Sequence, residues 1–292
     1  MALYVGGDAY TVQRRRCLLT GLRMMSGAYG PKSRFPPELV SEVHGMMDSG
    51  AFSDPPEKRL TPEQSLERQL AWERSATRLW GAPWQAESLV SYDLLIDEKW
   101  TGGRRRKERW SVAEADMAVD VTVAAATYLA SQRERLSPRG LVLAAQGVDG
   151  VQYAECVAGV LQHTLPADTI GLGGWCILGR MTSWLPTFFD AMRRSLPLIA
   201  ASGITAVHIF GVLWRPALGG LLWLADQYGL AVSTDSSAPI LQTTWKDQKK
   251  SGSLMPTWEA NVEAYRERLR TLRESPYYCE PKRGERTLFV CC

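Results

Sequence analysis

Short apolar runs alternate with longer segments of helical periodicity along most of the chain. The apolar runs predict seven strands, over residues 2–5, 44–47, 88–96, 141–146, 169–174, 206–211 and 230–234. Two of the helices between them begin with a capping box, at Thr61–Gln64 and at Ser111–Glu114. Strands that are apolar throughout and alternate with long helices predict a parallel sheet covered by helices on both faces.

The number and spacing of these units favour a closed barrel over an open sheet. Seven or eight strand–helix units in 292 residues predict a single-domain α/β protein with a (β/α)8 TIM-type barrel over residues 1–275 and a C-terminal tail at 276–292. An eighth strand is predicted at 239–244, and the spacing of apolar residues predicts a helix over 11–25. A doubly wound open sheet is the alternative fold.

Polar residues and glycines follow the predicted strands where a barrel enzyme has its active site. They are Asp48, Asp97, Gln146, Gly173, Gly174, Gly211 and Asp235. Each alone has a structural explanation, since Asp after a strand often forms a turn or caps a helix. Three carboxylates and an amide at one mouth together favour a functional site. His208 lies inside an apolar strand, which predicts a core residue.

Composition and charge allow a nucleic-acid partner without requiring one. Apolar residues make up 45% and charged residues 22%, the net charge is +3 and the pI is about 8.5. The sharpest basic cluster, Arg104, Arg105, Arg106 and Lys107, has Trp100 and Trp110 on either side and is extended by Arg109. This segment is either a solvated loop or a loop that contacts phosphates.

The sequence carries no signal peptide and no apolar run of membrane-spanning length, which predicts a cytoplasmic protein with reduced thiols. The sequence lacks a G-x-G-x-x-G motif for dinucleotides, a Walker A loop and a G-x-S-x-G nucleophile motif. Two carboxylates at one pocket can instead exchange a glycosidic bond, one as nucleophile and the other as proton carrier. A third carboxylate and an amide can bind the edge of a nucleobase.

Five short motifs resemble, in order, those of the tRNA-guanine transglycosylase superfamily. They are residues 48–52 for D-S-G-G-[FY]-Q, 92–98 for a strand ending in F-D-E, 145–147 for V-Q-G, 171–175 for A-V-G-G-L and 210–212 for part of L-M-G-V. Asp235 falls where that family has its nucleophile. The zinc motif of the family is absent, so no cofactor is expected. Zinc bound by Cys279, Cys291 and Cys292 is the alternative. This departure makes the chain most similar to the DpdA-type 7-deazaguanine DNA transglycosylases of phages and bacteria.

The resemblance implies a pentosyltransferase that replaces guanine in DNA by a 7-deazapurine such as 7-cyano-7-deazaguanine. It implies Asp235 as the nucleophile and Asp48 as the general acid and base. It places Asp97, Gln146, Gly173, Gly174, Ser49 and Gly50 around the base, and the cluster Arg104, Arg105, Arg106 and Lys107 on the DNA.

Three other functions stay open at this point. They are the same chemistry on tRNA, a nucleic-acid-binding barrel without catalysis, and a glycosidase acting on sugars. A phage-encoded enzyme of this kind would work in the host cytoplasm, and the oligomeric state is left open.

Overall fold

The computed structural model describes residues 1–6, 23–26, 35–54, 58–94, 96, 99–101, 104–106, 108–176, 182–236 and 258–282. Within these residues, eight parallel strands close into a barrel, which confirms the predicted (β/α)8 fold. The barrel strands are β1 (Ala2–Gly6), β2 (Arg23–Ser26), β3 (His44–Met47), β4 (Ser88–Val90), β7 (Gly140–Ala145), β8 (Thr169–Leu172), β9 (Ala206–Ile209) and β10 (Ala231–Ser236). β5 (Lys99–Thr101) and β6 (Arg104–Arg106) form a separate antiparallel hairpin.

The second strand of the barrel lies in a segment that the sequence predicts as a helix. Residues 23–26 pair with β1 on one side and with β3 on the other, so they close the barrel between these two strands. The helix predicted over 11–25 is therefore wrong at its end, because strand pairing overrides a short apolar spacing. The strand predicted at 239–244 lies outside the described residues, and the barrel closes with β2 as its eighth strand.

Helices surround the barrel in the order that the sequence pattern predicts. They are α1 (Pro62–Trp80), α2 (Val112–Ser131), α3 (Arg133–Leu136), α4 (Gly150–Leu161), α5 (Leu185–Ala201), α6 (Arg215–Asp226) and α7 (Trp258–Arg270), with 3-10 turns at Pro37–Glu42, Ala51–Ser53, Thr182–Trp184 and Thr271–Glu274. Both predicted capping boxes are present. The Thr61 hydroxyl accepts from the Gln64 N–H at 3.3 Å, and the Gln64 side chain accepts from the Thr61 N–H at 2.9 Å.

The core has an outer layer between strands and helices and a smaller layer inside the barrel. In the outer layer, Trp72, Trp80 and Trp84 pack with ring centroids 5.3–5.8 Å apart, so these three Trp serve packing. The inner layer consists of Tyr4, Met46, Val90 and Val142, with Phe210 packed against them. The filled interior leaves the carboxyl ends of the strands as the place for a site.

The chain after α7 packs against the outside of the barrel as far as it is described. Arg273 binds both carboxylate oxygens of Asp226 at 2.7 and 2.8 Å, and the Tyr278 hydroxyl donates to the same carboxylate at 2.8 Å. Arg193 of α5 donates to the Pro281 carbonyl. In the described ranges, no helix has both the length and the apolar character that crossing a membrane requires.

Candidate active site

Asp48 and Asp235 lie at the same mouth of the barrel. Asp48 directly follows β3, and Asp235 is the next-to-last residue of β10. The pKa of Asp48 is raised to about 6, first because burial removes solvent from its carboxyl group and second because of the negative charge of Asp235. The two carboxylates that the sequence assigns to one site are therefore close enough to interact electrically.

The loop after Asp48 is shaped to hold its carboxylate. The backbone N–H groups of Ser49 and Gly50 donate hydrogen bonds to Asp48 and oppose the rise of its pKa. Gly50 has φ +77°, a left-handed conformation that favours glycine. The Ser49 side chain is buried, and its hydroxyl oxygen accepts from the Ala51 N–H at 3.3 Å. In this structure Ser49 and Gly50, which the sequence places around the base, support Asp48 through their backbones.

Arg68 of α1 fixes this loop from outside. Its guanidinium binds both carboxylate oxygens of Asp54, at 2.9 and 3.0 Å, and also donates to the Ser49 carbonyl. The Tyr92 hydroxyl donates to Asp54 at 3.2 Å. A bidentate arginine–carboxylate pair has a defined geometry, so the Arg68–Asp54 pair restrains the loop that orients the Asp48 side chain toward the mouth. Arg68 and Asp54 are site-supporting residues that sequence reasoning missed.

Two of the described residues contact the Asp235 carboxylate, both at Oδ1. The Gly211 N–H donates at 2.8 Å, and Nε2 of His208 lies at 3.2 Å. Gly211 has φ +69°, and a Cβ there would stand 2.7 Å from the Cys176 sulfur. Only a glycine therefore places this N–H against the carboxylate without displacing its neighbours.

His208 is as buried as the sequence predicts, but it is part of the site. Ser233 pairs with His208 in register, and Asp235 is two positions further along the same strand. Residues two positions apart on a strand share a face, so this spacing could have identified the contact. Sequence reasoning missed it because an isolated His in an apolar strand is more often a core residue.

Among the described residues Asp93 is a further carboxylate at the mouth, close in sequence to Asp97, which the sequence predicts there. β4 ends at Val90, six residues earlier than the predicted strand, so the chain leaves the barrel before Asp93. A Cβ at Gly173 would stand 3.3 Å from a carboxylate oxygen of Asp93. The glycine therefore allows Asp93 to approach this part of the backbone closely. Asp97 lies outside the described residues.

Gln146 lies beside the glycine pair but is fully buried. Its side-chain nitrogen donates to the Thr122 hydroxyl of α2 at 2.7 Å, and its N–H donates to the Cys156 sulfur at 3.4 Å. Its side-chain oxygen has no hydrogen-bond partner among the described residues. Gly174, next to it, has φ +79°. In this structure Gln146 joins the end of β7 to two helices.

The segment that the sequence predicts as a loop forms a two-stranded hairpin as far as it is described. Arg104, Arg105 and Arg106 are strand β6, paired with Thr101, Trp100 and Lys99, and Lys107 lies outside the described residues. The hairpin is inserted between β4 and α2, which is a connection at the active end of a barrel.

Arg109, which the sequence adds to the basic cluster, is an internal residue. Its guanidinium carbon lies 4.1 Å from the ring centre of Trp175 and 4.7 Å from that of Trp184, and the group donates to the Gly147 carbonyl. A cation stacked between two indole rings is stabilised by them and is shielded from a DNA backbone. The predicted phosphate contact is wrong for this residue.

Replacing Arg109 by Met should therefore affect stability and not the electrostatics of DNA binding. We expect the free energy of unfolding to fall by about 1–3 kcal/mol, since the stacking and the hydrogen bond are removed. Urea denaturation measures this decrease, with exposed Arg74→Met as the matched control. A lower salt dependence of DNA binding in Arg109→Met would contradict the internal role.

The described residues contain no group of three or more His, Cys, Asp or Glu side chains arranged to hold a metal ion. Cys279 is described as a thiol whose sulfur lies 3.7 Å from the Pro276 carbonyl oxygen. Cys291 and Cys292 lie outside the described residues, so the alternative of a C-terminal zinc site stays a prediction.

Comparison with known proteins finds no related sequence and finds solved structures of low similarity. No protein-family profile and no curated protein matches the sequence. Similar solved structures include a fructose-1,6-bisphosphate aldolase homologue from Coccidioides immitis (10% identity, 94% of this chain and 88% of that one, TM-score 0.45). They also include an L-ribulose 3-epimerase (14% identity, 94% of this chain and 96% of that one, TM-score 0.44). A further similar structure is a lyase or mutase homologue from Burkholderia cenocepacia (10% identity, 89% of each chain, TM-score 0.34). With TM-scores below 0.5, these similarities carry no argument about the fold or the activity.

Proposed function

We propose that the protein is an enzyme that exchanges a nucleobase, replacing guanine in DNA by a 7-deazaguanine derivative through a covalent intermediate on Asp235. One observation carries this proposal: two carboxyl groups that interact electrically share the mouth, and one of them has a raised pKa. Burial and the charge of Asp235 raise the pKa of Asp48 to about 6, while Asp235 is positioned by His208 and the Gly211 N–H. A carboxyl group with a raised pKa beside a second carboxylate is typical of an acid and nucleophile pair.

In the first step Asp235 acts as the nucleophile. Its two hydrogen bonds with described residues end on Oδ1, so we assign the attack on C1′ of the nucleotide to Oδ2. The Oδ2–C1′ bond forms while the bond from C1′ to guanine breaks, and guanine leaves with a proton from Asp48. The raised pKa supplies Asp48 with that proton near neutral pH.

In the second step Asp48 acts as the base. It takes the proton from the ring nitrogen of the incoming 7-deazapurine, which then attacks C1′ and releases the Asp235 carboxylate. Two displacements at C1′ restore the original configuration, so the product keeps the stereochemistry of the substrate. A base inside a duplex has to be flipped out first, or the strand has to be single.

The base-binding side of the mouth is assigned to Asp93 and the glycine pair. Asp93 approaches Gly173 closely, and a carboxylate there can accept from the N–H groups on the pyrimidine edge of guanine. This is the role that the sequence resemblance gives to Asp97, which lies outside the described residues and stays a prediction. Gly173 and Gly174 are both buried, and the Gly173 N–H donates to the Ala145 carbonyl at 2.9 Å, so in this proposal the Gly174 N–H is the donor to a ring carbonyl.

The sequence resemblance favours DNA as the polymer, and the basic hairpin β5–β6 offers positive charge to the phosphates of either polymer. The test is to incubate the protein with labelled 7-cyano-7-deazaguanine and either DNA or tRNA. We expect label in DNA. Label in tRNA would support the same chemistry on the other polymer, and a folded protein that labels neither polymer would contradict base exchange with this substrate.

The hairpin provides a separate prediction about DNA binding. Replacing Arg104, Arg105 and Arg106 by Ala should weaken binding and reduce the slope of log K against log salt, by about 0.9 for each phosphate that these side chains neutralise. Filter binding at several salt concentrations measures the slope.

The matched control for this prediction removes the same charge from the outer helices. Exposed Arg74, Arg194 and Arg270 are replaced by Ala together. A slope that is equal in the hairpin variant and in the wild-type protein would show that the hairpin is merely solvated.

A further inference from the structure

His208 connects the ends of β9 and β10 through both nitrogens of its ring. Its side chain has no exposed surface. Nε2 lies 3.2 Å from Oδ1 of Asp235, and Nδ1 lies 2.9 Å from the hydroxyl oxygen of Ser233. Since both nitrogens are engaged inside the protein, the imidazole acts on Asp235 and does not contact the nucleotide.

The ring of His208 is held in one orientation by aromatic neighbours. Tyr4 meets it edge to face, with centroids 5.4 Å apart at 85°, and Phe210 lies at 4.9 Å and 66°. Gly171 is the register partner of His208 on β8, and a Cβ there would stand 2.5 Å from the Phe210 ring. Because Gly171 has no side chain, the Phe210 ring has space to pack against the imidazole.

The hydrogen-bond partners define which nitrogen carries the proton. An ionised Asp235 can only accept, so Nε2 must donate to it. In the neutral ring Nδ1 then accepts, and the Ser233 hydroxyl is the donor within reach. The other acceptor for this hydroxyl, the Val207 carbonyl, is more distant at 3.4 Å. Ser233 thus selects the tautomer that directs an N–H toward Asp235.

We propose that His208 is a positioning residue for Asp235, with Ser233 fixing its tautomer. This role rests on the proposed function. Together with the Gly211 N–H, His208 anchors Oδ1 and leaves Oδ2 directed at C1′. When Oδ2 becomes the ester oxygen, Oδ1 becomes the carbonyl oxygen and keeps both donors. The same two N–H groups therefore hold the carboxylate and the covalent intermediate.

Two substitutions of His208 separate positioning from packing. The amide of His208→Gln can donate from about the place of Nε2, whereas His208→Phe keeps an aromatic ring and removes both hydrogen bonds. We expect Phe to slow covalent adduct formation about a hundredfold, the effect of a misplaced reacting group, with KM for the polymer unchanged. Gln should stay within about tenfold of the wild type. Thermal unfolding verifies that both variants are folded.

A second measurement needs no substrate. The nitrogen resonances of the His208 imidazole are compared by NMR in the wild type, in Asp235→Ala and in Ser233→Ala. We expect the Nε2 resonance to move in the first variant and the Nδ1 resonance to move in the second.

The outcomes separate this proposal from base exchange itself. A folded His208→Phe enzyme that forms the adduct at the wild-type rate would overturn positioning, as would a Gln variant as slow as Phe. If neither DNA nor tRNA is labelled, base exchange fails, and the NMR comparison alone decides the contact. A shifted Nε2 resonance then supports it and an unshifted one overturns it.

Discussion

Replacing Asp235 by Ala or by Asn is expected to abolish base exchange while the protein stays folded. The proposed covalent bond forms at Oδ2 of this residue, and an amide is far too weak a nucleophile to replace it. Removal of a nucleophile costs about 10⁴-fold or more in rate. Transfer of labelled 7-deazapurine into DNA measures the activity, and a denaturing gel shows whether a covalent adduct forms.

Asp235→Asn also tests the electrostatic link between the two carboxyl groups. Asn keeps an oxygen that can accept from His208 and Gly211 but has no charge. We therefore expect the pKa of Asp48 to fall from about 6 in this variant, because one of the two causes that raise it is removed. The exposed Asp190→Asn on α5 is the matched control. Base exchange that persists in either Asp235 variant would show that another group is the nucleophile.

The barrel could be predicted because its signal is local and repeated. The apolar run at β7 and the capping boxes of α1 and α2 each depend on residues that are adjacent in sequence. β2 could not be predicted in this way. Its strand conformation depends on pairing with β1 and β3, which are separated from it along the chain, and the same residues fit a helical spacing.

The same difference between local and non-local information decides which site residues could be predicted. Asp48 and Asp235 could be predicted because each directly follows or ends an apolar run. Asp93 was missed because β4 ends earlier than its apolar run predicts, and strand ends are the least predictable feature of a pattern. His208 and Arg109 required the positions of residues on other elements, since the partners that define their roles are distant in sequence.

Replacing Asp48 by Asn should block turnover and, in addition, stabilise the protein near neutral pH. General acid and base catalysis contributes about 10²–10⁴-fold, so exchange should fall by about this factor. The second step also lacks its base in this variant, so the adduct on Asp235 should persist wherever the first step still occurs. Denaturing gels of the variant with labelled DNA detect this adduct, and full activity would exclude Asp48 as the proton carrier.

The stability effect follows from the direction of the pKa shift. The pKa of Asp48 is about 6 in the folded protein, above the ordinary value of 3.8, so its protonated form favours folding. This contribution is complete below pH 3.8 and is lost as the pH rises through about 6. Asn mimics the neutral acid. The free energy of unfolding of the variant should therefore equal that of the wild type near pH ~3.5 and exceed it by about 1–3 kcal/mol at pH ~7.5. Urea denaturation at both pH values measures the difference, and an equal difference at both would show that Asp48 is not held at a raised pKa.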